Sequence, residues 1–132
     1  MFNQAIEVFF GKGKYKVKGI LVLTSNGFIV LVLGGEDPHI GAVAISVPRS
    51  SLKDKNKISS TTSVYTLVGH KDDEIAKPNA ERLAREFNEL VVVIAGIHVN
   101  DATEEEIKIL INNSEKMIEK ILKKLKKYRL SY

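Results

Sequence analysis

The chain has 132 residues, of which 44% are hydrophobic and 27% charged, and its formal net charge is +4. These values predict one folded domain over residues 1–132 and exclude a disordered chain. Cysteine is absent, which excludes disulfides, thiolate nucleophiles and cysteine-ligated metal. No apolar run approaches the ~20 residues of a membrane span, and the first ten residues lack a signal-peptide pattern, so we expect a cytoplasmic protein without membrane contact.

The amino-acid usage favours a thermophilic source. Gln4 is the only glutamine, and lysine, isoleucine and glutamate are plentiful. Amide and thiol side chains are chemically weak points at high temperature, whereas ion-pair networks gain in relative value there.

Alternating and continuous apolar runs predict six β-strands, at residues 2–10, 15–23, 28–33, 40–47, 60–68 and 90–99. Turn residues at 11–13 and 25–27 separate the first three strands. Pro48 should end the fourth strand, since it lacks a backbone donor, and residues 49–60 should form a polar surface loop. The second and third strands are apolar on consecutive residues, so both of their faces should be covered, either centrally in the sheet or by a neighbouring subunit.

Two helices are predicted, at residues 72–89 and 103–127. Pro78 should kink the first helix or mark a fresh first turn at Lys77. In the second helix Thr103 and Glu106 have the spacing of a capping box. Strands that are mostly linked by hairpins, followed by late helices, indicate an α+β fold: a mostly antiparallel sheet of about six strands packed by two helices, with a long C-terminal helix.

The C-terminal helix carries an apolar stripe with heptad-like spacing. It can cover the domain's own sheet, which accounts for much of the pattern, and its flank or distal end can contact another subunit of a closed homo-oligomer. The candidates for oligomer or partner contacts are Ile107, Leu110, Ile111, Met117, Ile118, Ile121, Leu125, Leu130 and Tyr132.

Seven basic residues and one acid lie between residues 116 and 129. Such a run fits phosphate binding or a solvated helix face with lysines near the negative helix end. No aromatic residues interleave the lysines, so a nucleic-acid partner is not expected.

Three polar segments end or begin the predicted strands, and each contains one of the three histidines. Polar groups at three strand ends can meet at one rim of a sheet and form a pocket or a subunit contact. The candidate residues for ligand binding or an interface are Gly34, Gly35, His39, His70, Lys71, Asp72, Asp73, His98, Asn100 and Asp101.

The residues of these segments are compatible with more than one kind of chemistry. Three histidines can hold zinc with one open position, but here they lack the i, i+4 spacing of a helical metal motif. Imidazole beside Asp72 or Asp101 can serve acid–base catalysis, and histidines at strand ends also simply bond to backbone. We predict no metal and no catalytic residue, because no nucleotide-binding, serine-elbow or zinc-protease motif is present.

The three segments, at residues 35–44, 69–73 and 95–103, together resemble the LpdD-like family. That family includes a small decarboxylase subunit regarded as a prenylated-flavin chaperone, and archaeal homologues of proteasome-assembly chaperones of the PbaA kind. The resemblance implies a chaperone-like fold, no intrinsic catalysis and a ring-like homo-oligomer, with a pentamer as the best estimate of its size.

The resemblance also implies two kinds of partner. In the leading hypothesis the chain is a non-enzymatic assembly protein whose partner is proteasome-related or a paralogous chaperone homologue, with no cofactor. In the alternative it is an accessory protein for a decarboxylase that binds FMN or prenylated FMN at His39, His70 and His98. Proteasome activators dock through a penultimate tyrosine, whereas Tyr132 is the last residue here, so docking by that motif is not expected.

Overall fold

The structure is a computed structural model that describes residues 5–67 and 72–131, with side chains up to residue 128. Six strands run in chain order: β1 (Ala5–Phe10), β2 (Val17–Leu23), β3 (Gly27–Gly35), β4 (Ala42–Ser50), β5 (Ile58–Thr66) and β6 (Leu90–His98). Two α-helices, α1 (Asp73–Phe87) and α2 (Glu104–Ser131), complete the chain. A short 3-10 turn at Gly13–Tyr15 precedes β2.

The strands form one sheet in the order β1-β2-β3-β6-β4-β5. All neighbouring strands are antiparallel except β3 and β6, which are parallel. The predicted α+β class is therefore confirmed, with β6 inserted between two hairpin-linked groups.

Both helices cover the same face of the sheet. Met117 of α2 lies against Gly19 of β2, and the ring of Phe87 in α1 meets Phe28 of β3 edge-on at 5.6 Å. The pairing register of β2 and β3 puts Gly19 and Phe28 on the same face of the sheet. The core between this face and the helices contains fully buried residues such as Leu21, Val30 and Val93.

The opposite face of the sheet has no helix over it in the described chain. We call it the open face and define it by ten residues that the strand register aligns: Ile20, Val22, Ile29, Leu31, Leu33, Val43, Ile45, Val47, Val92 and Ile94. Each of them is partly or largely accessible, whereas their neighbours along each strand are mostly buried. Strands β2 and β3 lie inside the sheet, as the first alternative predicts. Cover on both of their faces is nevertheless wrong for a single chain, and cover by a neighbouring subunit stays a prediction.

Several predicted boundaries are corrected by the structure. Strand β4 continues through Pro48 to Ser50, because its pairing with β6 already ends at Ser46 and one side of the strand has no partner there. The polar loop consequently shortens to residues 51–57, and β5 begins at Ile58. The predicted strand residues 2–4 and 68 lie outside the described residues.

Both helices form where the sequence predicts them. Helix α1 runs without a break through Pro78, so a fresh helix start at Lys77 is wrong. Helix α2 begins with the predicted capping box, in which the Glu106 N–H donates to Thr103 Oγ1 and the Thr103 N–H donates to Glu106 Oε1, both at 3.1 Å. It continues to Ser131, beyond the predicted end.

The apolar stripe of α2 packs inside the subunit. Five of its residues are at most 5% exposed because they lie between the helix and the sheet, and they are core residues rather than contact residues: Leu110, Met117, Ile118, Ile121 and Leu125. Ile107 and Ile111 are half-buried. The side chains of Leu130 and Tyr132 lie outside the described part of the chain.

Candidate functional site

The polar segments that follow β3 and β6, and the one that begins α1, meet at one rim of the sheet. This happens because β3 and β6 are parallel neighbours, with Gly35 level with His98, so both strands end at the same edge. Chain reversal after Gly35, which has a φ of +77°, then sends residues 36–41 back across the end of β6.

Backbone hydrogen bonds hold this crossing segment in place. The Glu36 N–H donates to the His98 carbonyl at 2.7 Å, and the Gly41 N–H donates to the Ala95 carbonyl at 2.9 Å. Gly96 is required under the crossing, because a Cβ there would overlap the His39 carbonyl. The rim is thus fixed mainly by main-chain contacts.

Asp72 is the most deeply buried polar group of the rim, with a relative exposure of 2%. Its Oδ1 accepts the Ile97 N–H at 3.0 Å, and its Oδ2 lies 3.2 Å from His39 Nε2. Gly41 leaves the space that this carboxylate occupies. Asp72 thereby ties the start of α1 to the end of β6, and its second oxygen lies beside His39 of the crossing segment.

The two described histidines of the rim are neighbours. Their ring centroids are 6.3 Å apart, and the rings meet edge to face. His39 Nδ1 donates to the Asp37 carbonyl at 2.9 Å, and His98 Nε2 donates to Asn100 Oδ1 at 3.1 Å. Since a carbonyl oxygen only accepts, these contacts assign a proton to each of those ring nitrogens.

A cavity of about 290 Å³ opens beside this rim, between the start of α1, the end of β6 and the first turns of α2. Its walls are mostly aliphatic, with Asp72, His98 and Asp101 as the polar members. The aliphatic members are Ile75, Ile97, Val99, Ala102, Ile107, Leu110 and Ile111. The volume is at the lower limit of pockets that hold small organic ligands.

The structure therefore brings together most of the residues that the sequence singles out. Gly34, Gly35, His39, Asp72, His98, Asn100 and Asp101 all lie at this rim, and Asp73 opens α1 beside them. His70 and Lys71 lie outside the described residues. The role of the rim in binding stays a prediction.

Sequence reasoning missed two features of this region. Glu36 supports the rim by accepting the Asn100 N–H through Oε1 at 2.9 Å, although it lies inside a segment that was singled out. The cavity itself was missed because it depends on how α1 and α2 lie on the sheet. Apolar residues at the start of α2 were the only signal, and they fit a plain core equally well.

A second polar cluster joins the turn of the first hairpin to α2, at the same edge of the sheet as the rim. The Tyr15 hydroxyl donates to Glu106 Oε2 at 2.6 Å, and Lys14 Nζ lies 3.0 Å from the same oxygen. The hydrogen bond from Tyr15, together with those from Thr103 and Lys14, lowers the pKa of Glu106 to about 2. The same contact with Glu106 raises the pKa of Tyr15 and that of Lys14.

Among the described residues, no three carboxylate or imidazole groups converge as metal ligands. Within the same residues, no helix is both long enough and apolar enough to cross a membrane.

The fold is similar to that of a solved chaperone chain. A chain of a chaperone complex for yeast 20S proteasome assembly superposes with a TM-score of 0.59 at 15% identity, over 94% of this chain and 95% of that one. At this identity the likeness shows the fold alone.

The family follows from the sequence. The model of the prenylated flavin chaperone LpdD-like domain matches residues 11–126, and the chain belongs to that family. Protein LpdD of Lactiplantibacillus plantarum is 31% identical over 93 residues, which are 70% of this chain and 65% of that protein. The chain thus spans just under two thirds of the length of this relative. The predicted family resemblance is confirmed.

Proposed function

We propose that the protein is a non-enzymatic, cytoplasmic assembly chaperone that works as a homo-oligomer. Its family and its fold, which it shares with a proteasome-assembly chaperone, support a chaperone role. The family resemblance favours a ring of five subunits, and a proteasome-related protein or a paralogous chaperone as the partner.

The observation that carries the proposal is the open face of the sheet. Its central strands present only aliphatic side chains there, and Ile45 and Val47 of β4 are 43% and 50% exposed. A contiguous apolar surface of this kind is typical of an interaction site. Its centre is aliphatic and its border carries Tyr65 and the hydroxyl residues of β5, which matches the usual anatomy of a protein interface.

Size and charge favour a second copy of the chain on this face. Together with its border strand β5, the open face spans five strands. At a spacing of ~4.8 Å, and with ~7 residues of ~3.3 Å in each strand, they cover on the order of 550 Å². Two copies would bury roughly 1,100 Å², which exceeds the ~1,000 Å² expected of a specific interface. The charged residues at its β1–β2 border, Glu7 and Lys18, lie 3.3 Å apart as an ion pair and balance each other, whereas Arg49 at the far end of β4 adds one positive charge to this face.

Replacing Ile45 by glutamate tests this proposal. A charge in the middle of a buried apolar contact is costly, so we expect I45E to dissociate into smaller species while its far-UV circular dichroism remains that of the parent. Sedimentation velocity and native mass spectrometry report the subunit count.

Ile109 provides a matched control. It has the same side chain and nearly the same exposure, 42% against 43%, but it lies on α2 and away from the open face. We expect I109E to keep the parent's subunit count. A parent that is monomeric, or an I45E variant as large as the parent, would contradict the proposal.

The alternative function is a flavin-binding accessory role, and the cavity at the rim is the observation that favours it. Aliphatic walls suit a flavin ring, and His98 Nδ1 can accept a hydrogen bond from a ring N–H because the Nε2 proton is donated to Asn100. Asp72 and Asp101 line the same cavity, so the phosphate of FMN would have to remain outside it.

Titration with FMN tests the alternative. If the cavity takes the flavin ring, FMN raises the melting temperature and its fluorescence changes, and A102W, which fills the cavity, abolishes both effects. A tryptophan at the exposed Ala5 should leave them unchanged. A parent protein that gives neither signal with FMN would contradict this alternative and leave the chaperone proposal untouched.

A further inference from the structure

The two edges of the sheet differ in how well they are protected. Strand β1, at one edge, is six residues long, contains Glu7, and has the Phe9 carbonyl occupied by Lys120 Nζ at 2.7 Å. Strand β5, at the other edge, has nine residues with no charge, proline or glycine. Proteins usually block a free edge with such residues, because an unprotected edge pairs with other strands.

The hydrogen bond just after β5 shows which backbone groups of this strand point toward β4. The Leu67 N–H donates to the Gly41 carbonyl at 2.8 Å, which turns the odd-numbered residues of this strand toward β4. The backbone N–H and C=O groups of the even-numbered residues, Ile58, Ser60, Thr62, Val64 and Thr66, therefore point outward. No strand within residues 5–67 and 72–131 lies beyond them.

We propose that this edge pairs antiparallel with β5 of a second copy of the chain. A two-fold axis near Thr62 would set Ser59 opposite the second copy's Tyr65, and it would place uncharged residues opposite uncharged residues along the whole strand. Like charges opposite each other would disfavour such pairing, and β5 has none. Tyr65 is 71% exposed and would extend the open face across the junction.

The size of the contact sets its strength. An edge of nine residues is about 30 Å long and, with a thickness of ~10 Å, buries about 300 Å² per copy. That is well below the ~800 Å² per partner of a standard interface. A single β5 pair should therefore separate on dilution, whereas several pairs between two rings would hold together through multivalency.

The symmetry of β5 pairing distinguishes it from the contacts that would close the proposed ring. Pairing of β5 with itself is isologous, whereas the contacts that close a ring of five are heterologous. The pairing thus doubles whatever assembly the other surfaces make: a lone chain becomes a dimer, and a ring of five becomes a set of ten. It holds or fails independently of the contact through the open face.

Proline at position 60 is the direct test. The Ser60 N–H points outward, so S60P removes a donor from the pairing edge without removing a bond to β4. We expect S60P to have half the subunit count of the parent at the highest protein concentration, by native mass spectrometry and sedimentation velocity.

Ser59 gives the matched control, since its N–H faces β4. We expect S59P to lower the melting temperature of the subunit much more than S60P does. Thr66 is also exposed, and its side chain lies on the face opposite to the open face, so T66K blocks the edge without proline and without charging the open face. T66K should halve the subunit count in the same way. A parent with the same count as both S60P and T66K, or a fall to less than half, overturns the inference.

Discussion

Glu106 makes three contacts that link two parts of the chain far apart in sequence. It closes the capping box of α2, accepts the Tyr15 hydroxyl and lies beside Lys14. The sequence predicts only the first of these roles, because the capping spacing is local. The contact with Tyr15 spans 91 positions and depends on where α2 lies over the first hairpin.

The lowered pKa of Glu106 predicts an acid-dependent loss of stability. Its pKa falls from 4.5 to about 2 in the folded chain, so the ionised carboxylate stabilises the fold above pH ~4.5, and this contribution disappears as the pH falls toward 2. We expect E106Q to melt below the parent at neutral pH, and the difference to shrink between pH 4.5 and 2. Melting curves across this range measure it.

Glu105 offers the control for that experiment, since it lies in the same helical turn and is exposed. E105Q removes the same charge near the same helix end. A difference between parent and E106Q that stays constant with pH, or one that E105Q reproduces, would contradict the assigned role of Glu106.

For the rim, the sequence predicts which residues lie close together, but it does not predict the hydrogen bonds between them. Strand-end positions were enough to place His39, Asp72 and His98 near one edge. The bond from the Ile97 N–H to Asp72 was not foreseeable, because an aspartate before a helix is ordinarily expected to cap that helix with its own side chain. Asp72 makes no such cap here.

Among the elements, α2 approaches β2 closely because Gly19 has no side chain. A Cβ at Gly19 would overlap Met117 Sδ and approach Ile121. Small residues at such crossings determine the separation of helix and sheet, and added volume in a filled core is destabilising.

Substituting Gly19 should therefore cost stability. We expect G19A to lower the free energy of unfolding by about 1–3 kcal/mol, measured by urea denaturation. Because methionine is flexible, part of this cost depends on Met117 itself. The double variant G19A/M117A should be more stable than the sum of the two single effects predicts, and additive costs would contradict this packing.

The element boundaries show where tertiary contacts override the local sequence pattern. Proline ends strands in general, yet β4 passes Pro48 because it has left β6 two residues earlier. Serine and lysine at residues 57–60 indicate a loop, but Ile58 is drawn into the sheet by its pairing with Ser50.

For the whole molecule, the sequence predicts the class of the fold and most of its elements, since hairpins and capping motifs are local. The insertion of β6 beside β3 in parallel is not predicted, because no short-range signal specifies a partner 63 residues away. Continuous apolar runs in β2, β3 and β6 indicate cover on both faces, and they do not distinguish cover from within the chain from cover by another copy.

The open face has a consequence for the lifetime of the protein in the cell. In the proposed homo-oligomer, the sheet is covered by its own helices on one face and by another copy on the other, so its stability would rise with protein concentration. A newly made chain at low abundance would be exposed to proteases for longer than one made in a burst. The rate of synthesis would then help to set the lifetime of the protein.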